Sequence, residues 1–360
     1  MKLGFGLYRH MLNEKHYKFA KQCGATHLVI HLVDYFGHNR DKADQPIGGA
    51  EGWGKAGNPN EIWSLEELIS IKKDINNHGL ELEAIENFDP AHWHDILLDG
   101  PKKKVQIENL KQLIKNVGRA GIPIFGYNFS LAGVSSRDIG PYARGGAVSV
   151  GMNGSVDETP IPNGMVWNMI YDENALDGSL PNIGHEELWK RLQYFLNEII
   201  PVAEEAGVKM AAHPDDPPVP YVRNTPRLVY QPDLYQKLID IKPSTSNNLE
   251  FCLGSIAEMT EGDVYEATDI YSKQDKISYV HFRNIVGKVP NYKEVFVDEG
   301  DIDMFKILKI LKKNNFQGVL IPDHTPQMTC DAPWYAGMAY TMGYMLSLIH
   351  ISEPTRPDEI

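Results

Sequence analysis

Short apolar runs alternate along this chain with segments whose apolar residues recur every three or four positions. The runs read as strands and the recurrent segments as amphipathic helices. Strands are predicted at 1–7, 26–33, 80–85, 122–129, 208–212, 247–252, 277–282 and 319–321. Helices are predicted at 13–23, from Ser64 onward, and at 104–120, 186–206, 233–241, 263–273, 302–313 and 334–348. Ser64 and Glu67 form a capping-box pattern ahead of Leu65, Leu68, Ile69 and Ile75. The run THLVIHLV at 26–33 is almost continuously apolar, as in strands covered on both faces.

Eight strands alternating with helices predict an α/β fold, a single (β/α)8 TIM barrel spanning 1–351 as one catalytic domain. A doubly wound open sheet is the alternative, but no glycine-rich phosphate fingerprint follows an early strand. Residues 130–181, rich in Gly and Asn, read as a long, irregular, lid-like insertion after strand four. The tail at 352–360 is polar, contains two prolines and looks unrelated to what precedes it, as an artefact of assembly would.

Composition narrows the partners. The chain has 360 residues, is 42% hydrophobic and carries a net charge of −13. Its Lys and Arg are scattered, so nucleic acid is not expected as a partner. A small anionic substrate remains compatible if the site itself holds a metal or arginines. Three cysteines, Cys23, Cys252 and Cys330, are too few and too far apart for a disulfide framework. The N-terminus shows no apolar leader core, and the apolar stretch 333–351 is too rich in Gly, Tyr, Thr and Ser to read as a membrane span. A cytoplasmic, reducing setting is expected.

The stretch MAAHPDDPP at 210–218 carries the first chemical signal. Its apolar run stops at His213, and Pro214, Pro217 and Pro218 then exclude both helix and central strand. Asp215 and Asp216 follow in a rigid turn, where they shape the loop or orient neighbouring groups. Barrel enzymes carry function at strand C-terminal ends. Those ends hold Glu86, Asn128, His213, Cys252, His281 with Arg283, and Asp323 with His324; Tyr8, Arg9 and His10 end strand one. Singly, a buried Cys is usually a small hydrophobe and a strand-end His a structural residue. Four transition-metal ligand types (His213, Cys252, His281, Asp323) on four consecutive strands point to a metal site. His31, His38, His92 and His94 read as polar loop residues.

HPDDPP (213–218), TPR (225–227), FCLGS (251–255), HFR (281–283), GDIDM (300–304) and PDHTPQM (322–328) together resemble the motifs of D-mannonate dehydratases. EIWSLEEL (61–68), IENLKQLIKNVGRAGIP (107–123) and YNFS (127–130) are also similar to that family. The resemblance implies a metal-dependent hydro-lyase on a barrel related to the xylose isomerases, converting D-mannonate to 2-keto-3-deoxy-D-gluconate. By motif position it places the metal ligands on His213, Cys252, His281 and Asp323, and the acid/base pair on His324 and Tyr335. Arg283, Asn128, Glu86 and Arg9 are the expected substrate contacts. Ligand softness alone suits Zn2+ or Fe2+; the resemblance points to Mn2+ or Fe2+.

Two segments depart from the family pattern or vary within it. FGLYRHMLN at 5–13 lacks the family's aromatic-Gly-Pro pattern, and residues 143–168 resemble a lid-like insertion of one branch. Alternatives are dehydration of another acid sugar, a metal-dependent sugar isomerase or epimerase on the same barrel, or a sugar-acid-binding barrel without catalysis. Isomerases should favour carboxylate and histidine ligands, against which Cys252 counts. Barrels of this kind often associate, so a homo-oligomer is expected.

Overall fold

The computed structural model describes residues 1–36 and 54–352; His38 and the tail from 353 lie outside the described residues. Eight strands close a barrel: β1 (Lys2–Tyr8), β2 (His27–His31), β3 (Glu81–Glu86), β4 (Ile124–Tyr127), β5 (Lys209–Ala212), β6 (Asn247–Cys252), β7 (Ile277–His281) and β8 (Val319–Ile321). Every neighbouring pair is parallel, and β1 closes against β8.

Helices α1 (Glu14–Gln22), α2 (Leu65–Asn77), α3 (Lys103–Arg119), α4 (His185–Ala206), α5 (Leu234–Ile241), α6 (Val264–Lys273), α7 (Met304–Lys313) and α8 (Pro333–Ser352) alternate with the strands. Each reflects local chemistry. In α7, Met304, Ile307, Leu308 and Leu311 are buried at helical spacing, and Asp303 accepts the Lys306 N–H at 2.9 Å as N-cap. Ser64 caps α2 through the Glu67 N–H at 3.1 Å. The Glu67 carboxylate turns instead to Arg9, at 3.0 Å, so the expected capping box is half formed.

The core has two layers. The larger fills the space between barrel and helices. The smaller fills the barrel with Val29, Ala84, Ile124, Ala211, Tyr279, Val319 and Ile321. Two inward positions hold no side chain. A Cβ on Gly4 would collide with Val319, and one on Gly126 would collide with Tyr279 Oη and lie 2.6 Å from Glu250 Oε2.

The segment after β4 is not wholly irregular. Asp138–Ala143 and Ala147–Asn153 pair with each other and with the hairpin Asn284–Lys288/Asn291–Val295 that follows β7. This four-stranded antiparallel sheet joins two strand-end connections more than a hundred positions apart in the chain. No local periodicity reports such pairing, which is why the stretch reads as loop. Among the described residues, no helix is long and apolar enough to cross a membrane.

Candidate metal and acid–base site

Strand side chains alternate with period two, so a residue two beyond an inward-facing one rises above it at the barrel mouth. Applied to the inner layer, this step leads from Val29 to His31, Ala84 to Glu86, Gly126 to Asn128, Ala211 to His213, Tyr279 to His281 and Ile321 to Asp323. On β6 the same step leads from Glu250 to Cys252. The ladder extends past the strands to hold the rim: His213 N–H donates to Tyr127 O at 2.8 Å and Phe282 N–H to Ile321 O at 2.8 Å.

Donor atoms of His213, Cys252 and His281 all lie within 4.8 Å of one another, a grouping that can hold a metal ion. Asp323 adjoins it, with Oδ2 3.6 Å from His281 Nδ1. His281 Nδ1 is buried and makes no hydrogen bond. A deprotonated thiolate, two imidazoles and a carboxylate suit a divalent transition ion, so the residues present fit a metal. Burial alone would raise the Cys252 thiol, but Arg283, His213 and His281 outweigh it and hold it well below its usual range. Burial likewise opposes charge on His213, yet Glu250 and Cys252 push its pKa up to about 9.

The rigid turn after β5 is held as its prolines imply. Asp215 Oδ2 accepts the Leu228 and Val229 N–H groups at 2.7 and 2.8 Å, while Arg227 donates to Oδ1 at 3.1 Å. Asp216 reaches the site's principal cation, Arg283. Arg283 Nη2 donates to Asp216 Oδ2 at 2.8 Å and to Ser255 Oγ at 2.9 Å. Its Nη1 meets Glu258 Oε1 at 2.7 Å and Glu294 Oε1 at 3.1 Å, and its Nε meets Asp323 Oδ2 at 3.1 Å.

His324 stands beside this network, with Nδ1 3.1 Å from Glu294 Oε2 and Nε2 3.5 Å from Asp323 Oδ1. Burial would lower its pKa, but the Asp323 and Glu294 carboxylates prevail and raise it. The raised pKa favours the protonated form more than in a free imidazole.

Above these groups opens a small pocket. Glu86, Asn128, His213, His281, Asp323 and His324 line it, as the strand-end reading expected. Asn128 donates to Pro214 O at 3.2 Å and accepts from Trp167 Nε1 at 3.3 Å, so it braces the His213 turn.

Four expected site residues are not brought to the wall; one is Cys252, which is fully buried. Arg283 lies beneath it, tied to carboxylates and Ser255. Arg9 points outward, donating to Leu32 O and Glu67 Oε1, each at 3.0 Å. Tyr335 falls in the first turn of α8, and its hydroxyl lies 3.0 Å from His16 Nε2 on α1; the His16 and Tyr335 rings stack at 5.9 Å.

Other wall residues escaped strand-end reading. His31 ends β2 rather than lying in a loop; it stacks on Tyr8 at 4.8 Å and points Nε2 at Glu86 Oε2, 3.8 Å away. The period-two step from Val29 could have found it. Arg137, from the post-β4 segment, lies 3.4 Å from Glu294 and 3.7 Å from Asp216, and its buried Nε makes no hydrogen bond. No local signal marks Arg137 or Glu294, because the long-range sheet brings them together. His92 and His94 are buried, with His94 Nδ1 2.7 Å from Pro90 O, away from the ligands.

The fold is a closed parallel (β/α)8 barrel with a His–Cys–His grouping at its mouth that could hold a metal ion. A D-tagatose 3-epimerase-like protein shares that fold at a TM-score of 0.59 and 13% identity, covering 98% of each chain. A xylose isomerase domain protein from Planctomyces limnophilus does so at 0.57 and 12%, covering 98% of this chain and 99% of that one.

The family model for D-mannonate dehydratase matches residues 35–140 and 150–353, and the chain belongs to the D-mannonate dehydratase family. Mannonate dehydratase of Streptococcus pneumoniae is 34% identical over 279 residues, 73% of this chain and 75% of that protein. The crystal structure of mannonate dehydratase from Streptococcus suis aligns at a TM-score of 0.73 and 28% identity, covering 98% of this chain and 95% of that one.

Proposed function

We propose that this protein removes water from D-mannonate to give 2-keto-3-deoxy-D-gluconate, with a divalent ion, Mn2+ or Fe2+, held by His213, Cys252, His281 and Asp323. The observation that carries the reading is the His213, Cys252 and His281 grouping, which could hold a metal ion, with His213, His281 and His324 on the wall of one pocket. Taking a proton from the carbon next to a carboxylate builds a doubly negative enediolate-like species. The ion, when bound, supplies a Lewis acid for that charge and a template for the carboxylate and a neighbouring hydroxyl.

The chain's own groups do the rest. His324, kept charged by Asp323 and Glu294, donates a proton to the departing C3 hydroxyl. Arg137 adds a fixed cation on the same wall, which favours an anionic substrate. Arg283 holds Asp323 in place through its Nε. The C2 proton has two candidate acceptors. His31 stands on the wall, whereas Tyr335, the residue motif spacing gives, has its hydroxyl 3.0 Å from His16 Nε2.

Solvent-deuterium exchange at C2 separates them. Loss of exchange in His31→Asn alone assigns the base to His31, and loss in Tyr335→Phe alone assigns it to Tyr335. His324→Asn should abolish turnover while leaving metal content near wild type. Lost metal in that variant would overturn the role given to His324.

Free cysteines throughout, Cys23, Cys252 and Cys330, support a reducing cytoplasmic setting. Exposed Ile139, Val148 and Val286 on the added sheet support a homo-oligomer, which light scattering on the purified protein tests.

A further inference from the structure

Beside the His–Cys–His grouping the barrel holds two carboxylates that the dehydration does not use, Glu86 at the mouth and Glu250 one step below Cys252. Glu86 Oε2 lies 3.3 Å and Glu250 Oε1 3.2 Å from His281 Nε2, and donor atoms of all three fall within 4.8 Å of one another. Glu250 is fully buried, and neither of its oxygens makes a hydrogen bond. The Tyr279 hydroxyl, also fully buried, makes none either and is aimed at the same spot. A Cβ on Gly126 would meet that hydroxyl, Glu250 Oε2 at 2.6 Å and Glu86 Cγ at 3.2 Å, so the fold keeps this hollow clear of side chain.

We propose that Glu86, Glu250 and His281 Nε2 form a second divalent-cation site, adjoining the first and sharing His281 with it.

Charge supports this placement. Arg137 and Arg283 balance Asp216 and Glu294, and burial keeps Glu258 neutral by pushing its carboxyl well above its ordinary range. Glu86 and Glu250 are left facing His281, whose Nε2 lies 3.3 and 3.2 Å from them. Buried charge without a partner costs several kcal/mol per ion, about what drives a group to bind a cation or a proton. Hard carboxylate oxygens with one imidazole suit a hard divalent ion such as Mn2+. His281 turns Nδ1 toward Asp323 and Nε2 toward the two glutamates, so a deprotonated imidazole serves one ion through each nitrogen.

The competing occupant is a proton on Glu250, and metal counting decides between them. Metal-stripped protein is equilibrated with Co2+, freed of excess by gel filtration and assayed by inductively coupled plasma mass spectrometry. The thiolate-to-cobalt charge-transfer band reports the Cys252 site independently. The expected result is two ions per chain in the wild type and one in Glu250→Gln, with the thiolate band retained. Glu86→Gln should behave the same way and serves if Glu250→Gln does not fold, as judged by far-UV circular dichroism. One ion per chain in the wild type, or two in both variants, overturns the proposal. The dehydratase reading is independent of this count: two bound ions without turnover of D-mannonate would sink that reading and leave the second site standing.

Discussion

Replacing Arg283 by Met keeps the bulk of the side chain and removes its charge. In the wild type the guanidinium makes contacts of 2.7, 2.8, 3.1 and 3.1 Å with Glu258, Asp216, Glu294 and Asp323, and one of 2.9 Å with Ser255. A hydrogen bond to a charged group contributes about 1.5–3 kcal/mol, but several share one desolvation cost and the sum is not additive. Breaking a buried ion pair from one side costs about 3–5 kcal/mol because the partner charge is stranded. That is the expected loss in ΔG of unfolding at pH 7, measured by urea titration with far-UV circular dichroism in the presence of chelator.

The pH dependence follows from the same contacts. Burial opposes charge on Asp216, Glu294 and Asp323, but their cationic neighbours, Arg283 among them, hold all three carboxyls below their ordinary range. Carboxyls lowered on folding stabilise above their unfolded pKa and lose that contribution as pH falls. Without Arg283 much of the contribution is gone, so the deficit is full at neutrality and shrinks only as pH falls below about 4, through the lowered folded-state values. A loss below about 1 kcal/mol at pH 7, the range of exposed pairs, or a deficit that grows on acidification, would refute the reasoning.

Gly126→Ala should destabilise the barrel by about 1–3 kcal/mol, the usual cost of overpacking, because its Cβ collides with Tyr279 Oη; a thermal melt unchanged from wild type would contradict it. Arg137→Met should raise KM for D-mannonate about 10–100-fold, the equivalent of about 1.5–3 kcal/mol for one charge-assisted contact, and steady-state kinetics at fixed metal concentration check this. An unchanged KM would remove Arg137 from the substrate's surroundings. Cys252→Ser should weaken metal affinity and abolish the thiolate-to-cobalt band, and a retained band would place the ion elsewhere.

The barrel was legible because each strand is short, apolar and followed by an amphipathic helix, so the pattern that buries its core is local in the chain. His213, Cys252, His281 and Asp323 were legible for a related reason: each follows a run of apolar residues and stands at or just past the C-terminal end of its strand. The same rule holds for His31, whose place two positions beyond Val29 was obscured by the apolar residues on either side of it. Glu250 was passed over because it lies inside an apolar run, where a carboxylate looks like an exception rather than a ligand. Arg137 and Glu294 had no signal of their own, since a long-range sheet sets their positions. Tyr335 was placed by motif spacing, and spacing says nothing of which face of a helix's first turn points to the pocket. In the structure that turn packs against α1.

The central claim is tested most directly by loading the protein with Mn2+, supplying D-mannonate and following its product by nuclear magnetic resonance. The account predicts stoichiometric 2-keto-3-deoxy-D-gluconate, with solvent hydrogen exchange confined to the carbons that lose a proton or hydroxide. No product from D-mannonate or other aldonates with the metal bound, or a ketose or epimer in its place, would contradict it.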